Sequence, residues 1–298
     1  MKAETYQQQL TQLTPTKDYF VGIDSDGCVF DSMDIKHKEC FTPAFIQHME
    51  LQRVSTLARE TWDFVNLYSK SRGVNRFKAL VLALDFLASR PEVSERNCTI
   101  PPMNGLRSWM ERETKLGNLA LREEIQRQPD PDLERAYAWS LSVNEAVEKI
   151  VWGLGPFPQA VRAIESLQNR ADALVVSQTP LEALAREWEE NSLDHLIRLI
   201  AGQEMGTKTE HIKLAAAGKY DPDKILMIGD APGDLEAAKK NNALFFPIIP
   251  GMENQSWEEL NKNGLDKFFQ GSYAGEYEQE LIQKFSASLP EKPSWRSL

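Results

Sequence analysis

Tyr19-Phe-Val-Gly-Ile-Asp-Ser-Asp-Gly27 drives a short apolar run straight into two acidic residues and a glycine. An apolar run of this length, without polar alternation, predicts a strand buried on both faces, as in a parallel sheet. The signature recurs down the chain. Ala173-Leu-Val-Val176 runs into Ser177, and Ile225-Leu-Met-Ile228 runs into Gly229-Asp230; Leu196–Ile200 and Ala243–Ile249 are weaker copies. Helical patterns fall between them, over Pro158–Gln168, Pro180–Glu190, Thr209–Ala217 and Pro232–Lys240. Strand–helix alternation from 155 to 250 predicts βαβ units and hence an α/β fold with a doubly wound parallel sheet.

The block after the first strand reads differently. From Met33 to Ile150 the periodicity is helical, with Arg76–Leu87 strongly apolar and Pro131-Asp132 opening a further long helix. Gly153-Leu-Gly-Pro-Phe-Pro158 breaks the pattern and reads as the return crossing. The expected organisation is a discontinuous α/β core, 1–32 and 152–298, interrupted by an all-helical domain over 33–151. Residues 251–298 read as further helices and a proline-containing tail without assignable chemistry.

Composition narrows the function classes. The 298 residues carry 34 Lys+Arg against 44 Asp+Glu, a formal charge of −10, and no run of clustered basic residues. Nucleic acid and anionic membrane surfaces are therefore poor partners. No stretch is apolar enough to span a bilayer, and the Gln-rich start does not read as a signal peptide. Cys28, Cys40 and Cys98 are scattered and odd in number, which suits a reducing cytoplasm rather than a disulfide framework.

The chemistry-bearing residues cluster where the apolar runs end. Open α/β sheets bind ligands at the carboxyl ends of their strands, and there the sequence delivers Asp24, Asp26, Asp230 and, one helical turn further on, Asp234. Two carboxylates 4 Å apart repel by about 4 kcal/mol at an effective dielectric near 20. Either their pKa values rise or a cation neutralises them, and oxygen donors without a His/Cys set favour Mg²⁺. Ser177-Gln178-Thr179-Pro180 ends a strand and opens a helix, so its hydroxyls and N–H groups could receive an anion. Lys208, in Gly206-Thr-Lys-Thr209, could supply a point positive charge. Alone, each feature also reads as a turn, a helix cap or a surface lysine. Their shared placement at strand ends is what joins them.

In that order, Asp24-Ser-Asp26-Gly27-Cys-Val29, Ser177, Lys208 and Gly229-Asp230-Ala-Pro-Gly-Asp234 resemble the four motifs of the haloacid dehalogenase superfamily. The resemblance covers about 17–32 and 155–250, and the helical insertion is similar to the mobile cap of members acting on small molecules. It implies a Rossmann-like core and a Mg²⁺-dependent phosphatase acting on a small phosphorylated metabolite. Asp24 would be the nucleophile and Asp26 the general acid and base. Ser177, Gln178 and Lys208 would bind phosphate. Asp24, the Asp26 backbone carbonyl and Asp230 would hold Mg²⁺, supported by Asp234. Two departures stand out: Lys208 lacks the proline that often follows it, and Asn241-Asn242 replaces the usual Ala-Gly.

Several alternatives share this core. A dehalogenase would need neither Asp26 nor the Asp230–Asp234 pair. A phosphonatase would need a Schiff-base lysine, for which Lys36, Lys38, Lys70 and Lys78 qualify by type only. A sugar phosphomutase, similar to β-phosphoglucomutase, is the main rival, with Lys36 and His37 near the place of a proton-transfer residue. A non-catalytic binding protein would have no reason to keep so costly an acidic cluster. In the insertion, Arg72, Asn75 and Arg76 are candidates to contact the leaving group, with helix capping as the competing reading. Trp62, Trp109 and Trp139 read as helix packing, with sugar stacking the alternative.

Overall fold

A computed structural model describes residues 3–296. The described residues form two compact units, one within 1–32 and 153–289 and the other within 33–152 and 290–298. The first is built on a five-stranded sheet in the order β3-β2-β1-β4-β5, where β1 is Tyr19–Ile23, β2 Ala171–Val176, β3 Leu199–Ala201, β4 Ile225–Gly229 and β5 Leu244–Pro247. Every pairing is parallel. The chain winds outward from β1 through β2 to β3, then returns to the other side of β1 for β4 and β5. The order reverses between β1 and β4, which is the switch point where such sheets open a crevice.

Successive side chains on a strand face opposite ways, and the strands distribute their apolar residues accordingly. Val21, Ile23, Val175, Leu226, Ile228 and Phe246 enter one core, which the Pro158–Leu167 helix covers with Ala160, Ala163 and Ile164. Phe20, Leu174, Val176, Met227 and Phe245 enter the other, covered by Ile212 and Ala215 from one helix and Ala237 and Ala238 from another. β5 is an edge strand, and the C-terminal segment occupies its open side. Glu278 accepts a hydrogen bond from the Phe245 N–H at 2.8 Å, and the Tyr273 hydroxyl donates to the Phe245 carbonyl at 2.8 Å. These bonds blunt the exposed edge against pairing with another chain.

Boundaries differ from the sequence reading in instructive ways. β2 begins at Ala171, two residues early, and so takes Asp172 into the sheet, 1% exposed. Its carboxylate accepts hydrogen bonds from the Thr16 hydroxyl (2.5 Å), the Thr16 N–H (2.7 Å), the Tyr220 hydroxyl (2.7 Å) and the Lys17 N–H (3.1 Å), and pairs with Arg198. That satisfaction is what lets a charge sit in a strand. Conversely, Leu196 lies in a 3₁₀ turn over Asp194–Leu196, and the strand read there starts only at Leu199.

The second unit is helical and has its own core. Trp62, Trp109 and Trp139 are each at most 1% exposed. Trp62 meets Trp139 edge-on at 5.8 Å, and Trp109 meets Phe77 at 5.5 Å, so these rings pack helices against one another. A single helix, Pro131–Ile150, replaces the two adjoining segments of the sequence reading, with the Asp130 carboxylate accepting from the N–H groups of Asp132 and Leu133 as its N-cap. The tail assigned from sequence to the α/β core divides at Leu289. Beyond it, Trp295 packs on Phe64 at 5.4 Å and under the Arg90 guanidinium at 4.6 Å, within the helical unit. Among the described residues no helix is long and apolar enough to cross a membrane.

Candidate active site

Register decides which strand ends meet. Ile23 is level with Ile228 on β4 and with Val175 on β2, so the residues following these strands emerge side by side. The Asp24 N–H extends the ladder by donating to the Ile228 carbonyl at 2.9 Å. Asp24 therefore stands at the centre, with Ser177 after β2 on one side and Asp230 after β4 on the other. The chain then turns sharply. Gly27 takes φ +74°, a region open to glycine without strain. The Ser25 carbonyl accepts from the N–H groups of Cys28 (3.3 Å), Val29 (2.9 Å) and Phe30 (3.1 Å).

Asp24, Asp230 and Asp234 are all buried, and their nearest carboxylate oxygens lie within 4.8 Å of one another. Asp234 reaches back from the first turn of the Pro232–Lys240 helix and accepts from the Ala231 N–H at 3.0 Å. Its carboxylate presses on Gly229, where a Cβ would fall 2.4 Å from the Asp234 Cγ. Only glycine leaves that space. Lys208, the first residue of the Lys208–Ala215 helix, places its Nζ 2.6 Å from Asp24 Oδ2 and 2.6 Å from Asp234 Oδ1. Thr207 and Glu210 fix that helix start through a reciprocal capping box.

Burial, opposed by Lys208 and reinforced by Asp230, pushes the Asp24 carboxyl up to about 7. Burial likewise pushes Asp234 up to about 6. Burial works against the Lys208 ammonium, but Asp234 and Asp24 outweigh it and hold the lysine protonated. Three ionised carboxylates against one ammonium would leave a formal charge of −3 + 1 = −2 in a buried site. A divalent cation balances that charge. The three donors are hard oxygens without His or Cys among them, the set that suits Mg²⁺. The residues fit the ion.

The Asp26 carboxylate has partners of its own. The Thr179 hydroxyl donates to its Oδ2 at 2.6 Å, and the Ser32 hydroxyl donates to its Oδ1. Thr179 belongs to the quoted Ser177–Pro180 stretch, but its partner 153 residues away was not readable; Ser32 carried no signal at all. The sequence reading expected free N–H groups at the helix after β2. Instead the Thr179 N–H donates to Ser177 Oγ at 3.2 Å, and the Leu181 N–H donates to Glu204 Oε2 at 2.9 Å. Glu204 was not foreseen, because the loop that delivers it follows the shortened β3. Gln178 donates to the Gly206 carbonyl at 2.9 Å, tying its loop to the one that precedes Lys208.

Arg72, Asn75 and Arg76 are engaged within the helical unit. Arg72 is buried and donates to the Leu67 carbonyl at 3.1 Å. Asn75 caps the Arg76–Ala88 helix by accepting from the Phe77 N–H at 3.0 Å. Arg76 donates to Asn144 Oδ1 at 2.7 Å and Ser140 Oγ at 3.0 Å, with its guanidinium 5.3 Å from the Phe41 ring centre.

The departure at Asn241-Asn242 has a structural account. The Asn241 side chain donates to the carbonyls of Ala237 (2.8 Å) and Thr209 (3.1 Å), linking the helix that carries Asp234 to the one that carries Lys208. Asn242 takes φ +53°, the left-handed position that asparagine tolerates at a helix C-terminus.

Fold and site together define an α/β protein whose buried carboxylates and one lysine meet at the switch point of a parallel sheet. A model of the haloacid dehalogenase-like hydrolases matches residues 21–242, and the chain belongs to that family. No curated protein sequence matches it significantly. Among solved structures, the chain is similar to a haloacid dehalogenase-like family hydrolase from Streptococcus pneumoniae (14% identity, TM-score 0.44, 82% of this chain and 92% of that one). It is also similar to a predicted phosphoglycolate phosphatase from Haemophilus somnus (13%, 0.48, 83% and 99%). A third is a candidate β-phosphoglucomutase from Bacteroides vulgatus (14%, 0.45, 92% and 97%).

Proposed function

We propose that this hydrolase releases inorganic phosphate from a small phosphomonoester through an aspartyl-phosphate on Asp24. The observation that carries the reading is the meeting of Asp24, Asp230, Asp234 and Lys208 at adjacent strand ends. Asp24 attacks phosphorus, and the bond from phosphorus to the leaving oxygen breaks as Asp26 gives that oxygen a proton. Asp26 then takes a proton from water, the water oxygen attacks phosphorus, and the bond to Asp24 breaks. Splitting one hard displacement into two is the advantage of a covalent carboxylate. Lys208 offsets charge on the transferred group, and Ser177 and Gln178 complete the phosphate site. Asp24, the Asp26 carbonyl, Asp230 and Asp234 would hold Mg²⁺, which when bound supplies positive charge to the phosphoryl oxygens.

The hydroxyls of Thr179 and Ser32 give Asp26 a defined orientation, as an acid–base group requires. A phosphonatase needs a neutral lysine amine. Lys38 is ion-paired with Asp34 at 2.5 Å, and that hydrogen bond holds its ammonium protonated, while Lys70 pairs with Glu291 at 2.6 Å. The protein is expected to release phosphate from para-nitrophenyl phosphate or a member of a broad phosphometabolite panel, in millimolar Mg²⁺. Asp24→Asn should abolish turnover while leaving the circular dichroism unchanged. Isomerisation of a sugar phosphate without phosphate release would select the mutase, and retained activity in Asp24→Asn would remove the nucleophile.

A further inference from the structure

Two tryptophans grip the loop that carries Asp24 and Asp26, one at each end. Trp188, in the Leu181–Glu190 helix, donates its indole N–H to Ser25 Oγ at 3.0 Å. Trp257, in the Glu253–Glu259 helix, donates its own to the Cys28 carbonyl at 2.8 Å. Both rings are fully buried, and Trp188 also meets Phe30 edge-on at 5.7 Å. A buried indole N–H without a partner is costly, and a loop offering two such acceptors is held by directional bonds as well as by packing. Ser25 lies between the two aspartates, and its carbonyl already gathers three N–H groups of the turn. Cys28 closes that turn. The two indoles thus join the Thr179 hydroxyl on Asp26 in tying this turn to sequence-distant elements, one indole at each end. Trp257 lies outside residues 21–242, in the C-terminal stretch to which the sequence reading assigned no chemistry.

We propose that Trp188 and Trp257 are positioning residues that hold the Ser25–Cys28 turn, and through it Asp24 and Asp26, in reactive geometry. The kinetic part of this inference rests on the phosphatase reading; the structural part does not. Misplacing a reacting group by about 1 Å can cost about 100-fold in rate. Loss of one neutral hydrogen bond corresponds to about a fivefold change in a local opening equilibrium.

The test compares Trp188→Phe, Trp257→Phe and Ser25→Ala, the last removing the acceptor of Trp188 with little change in volume. Hydrogen exchange by mass spectrometry should show peptides over 24–30 exchanging at least about fivefold faster in each variant, with β2 and β4 peptides unchanged. With para-nitrophenyl phosphate and Mg²⁺, kcat should fall about tenfold or more while KM stays within about threefold. Unchanged loop exchange in a folded variant would overturn the proposal. So would exchange that rises equally across the sheet, or a Trp257→Phe chain that does not fold, since either means general packing. If Trp188→Phe does not fold, Ser25→Ala decides for that residue. A wild type that turns over no substrate removes the phosphatase reading and leaves the exchange result to stand by itself.

Discussion

Gly229 shows how much of the site rests on an absent side chain. The Asp234 carboxylate occupies the volume a Cβ would fill, 2.4 Å from where that atom would stand. Gly229→Ala should therefore displace Asp234 from Lys208 and from the other carboxylates, while the strand still forms. Overpacking of this kind costs about 1–3 kcal/mol. We expect Mg²⁺ affinity to drop at least about tenfold, a loss near 1.4 kcal/mol or more, with secondary structure by circular dichroism retained; unchanged affinity would mean the contact is not needed. At this scale the acidic residues and the lysine stood out in the sequence only through their shared placement after predicted strands, since each alone also reads as a turn, a cap or a surface lysine. The sequence did not display Thr179, Ser32 or Glu204 as partners. Serine, threonine and glutamate are common in loops, and only three-dimensional register tells which of them faces a carboxylate.

At the scale of elements, β2 carries the clearest departure. Its apolar run begins at Ala173, yet the strand incorporates Asp172, because donors from Thr16, Lys17, Tyr220 and Arg198 meet that one carboxylate. All four lie far from Asp172 in sequence, so no local pattern could announce them. Burial alone would raise its pKa, but the hydrogen bonds from Thr16, Tyr220 and Lys17 outweigh it and hold the group below its ordinary range. A carboxyl with a depressed folded-state pKa contributes stability that is present above about pH 4 and is lost as pH falls through the folded value. Asp172→Ala leaves the buried Tyr220 hydroxyl without its acceptor, while Thr16, Lys17 and Arg198 can turn to water, and should cost about 1–3 kcal/mol of unfolding free energy. Asp172 is the second residue of β2, and Ser177 follows the strand's last, so metal affinity should survive the change. Chemical denaturation at pH 7 checks the first outcome; a variant as stable as wild type would show the network to be inert. The helices between the strands were legible from their periodicity, whereas only two of those in the block after β1 were placed and Ala3–Gln12 was not read as a helix. Helix ends were not legible, because caps such as Asp130 or the Thr207–Glu210 pair depend on single side chains.

The whole molecule places acidic tips from sequence-distant strands in one buried cluster, which is stable at neutral pH only if its charge is balanced. Asp24 and Asp234, raised to about 7 and about 6, hold protons in the folded chain at a pH where the unfolded chain has released them. Without metal, these groups therefore make folding less favourable as pH rises from about 4 to about 7. A metal needs the deprotonated carboxylates, so its binding should strengthen over the upper part of that range. The parallel sheet was readable from the sequence as apolar runs alternating with amphipathic helices, but its strand order, and with it the switch point between β1 and β4, was not. Nor was the division of the tail at Leu289, since it depends on Trp295 finding Phe64 and Arg90. The most direct test is calorimetric titration of Mg²⁺ into the wild-type protein and Asp230→Asn. One site per chain is expected in the wild type, tighter at pH 7.5 than at pH 5.5, and weakened at least about tenfold in Asp230→Asn. Equal affinity in the two proteins, or no binding to the wild type at either pH, would contradict a metal site shared between β1 and β4.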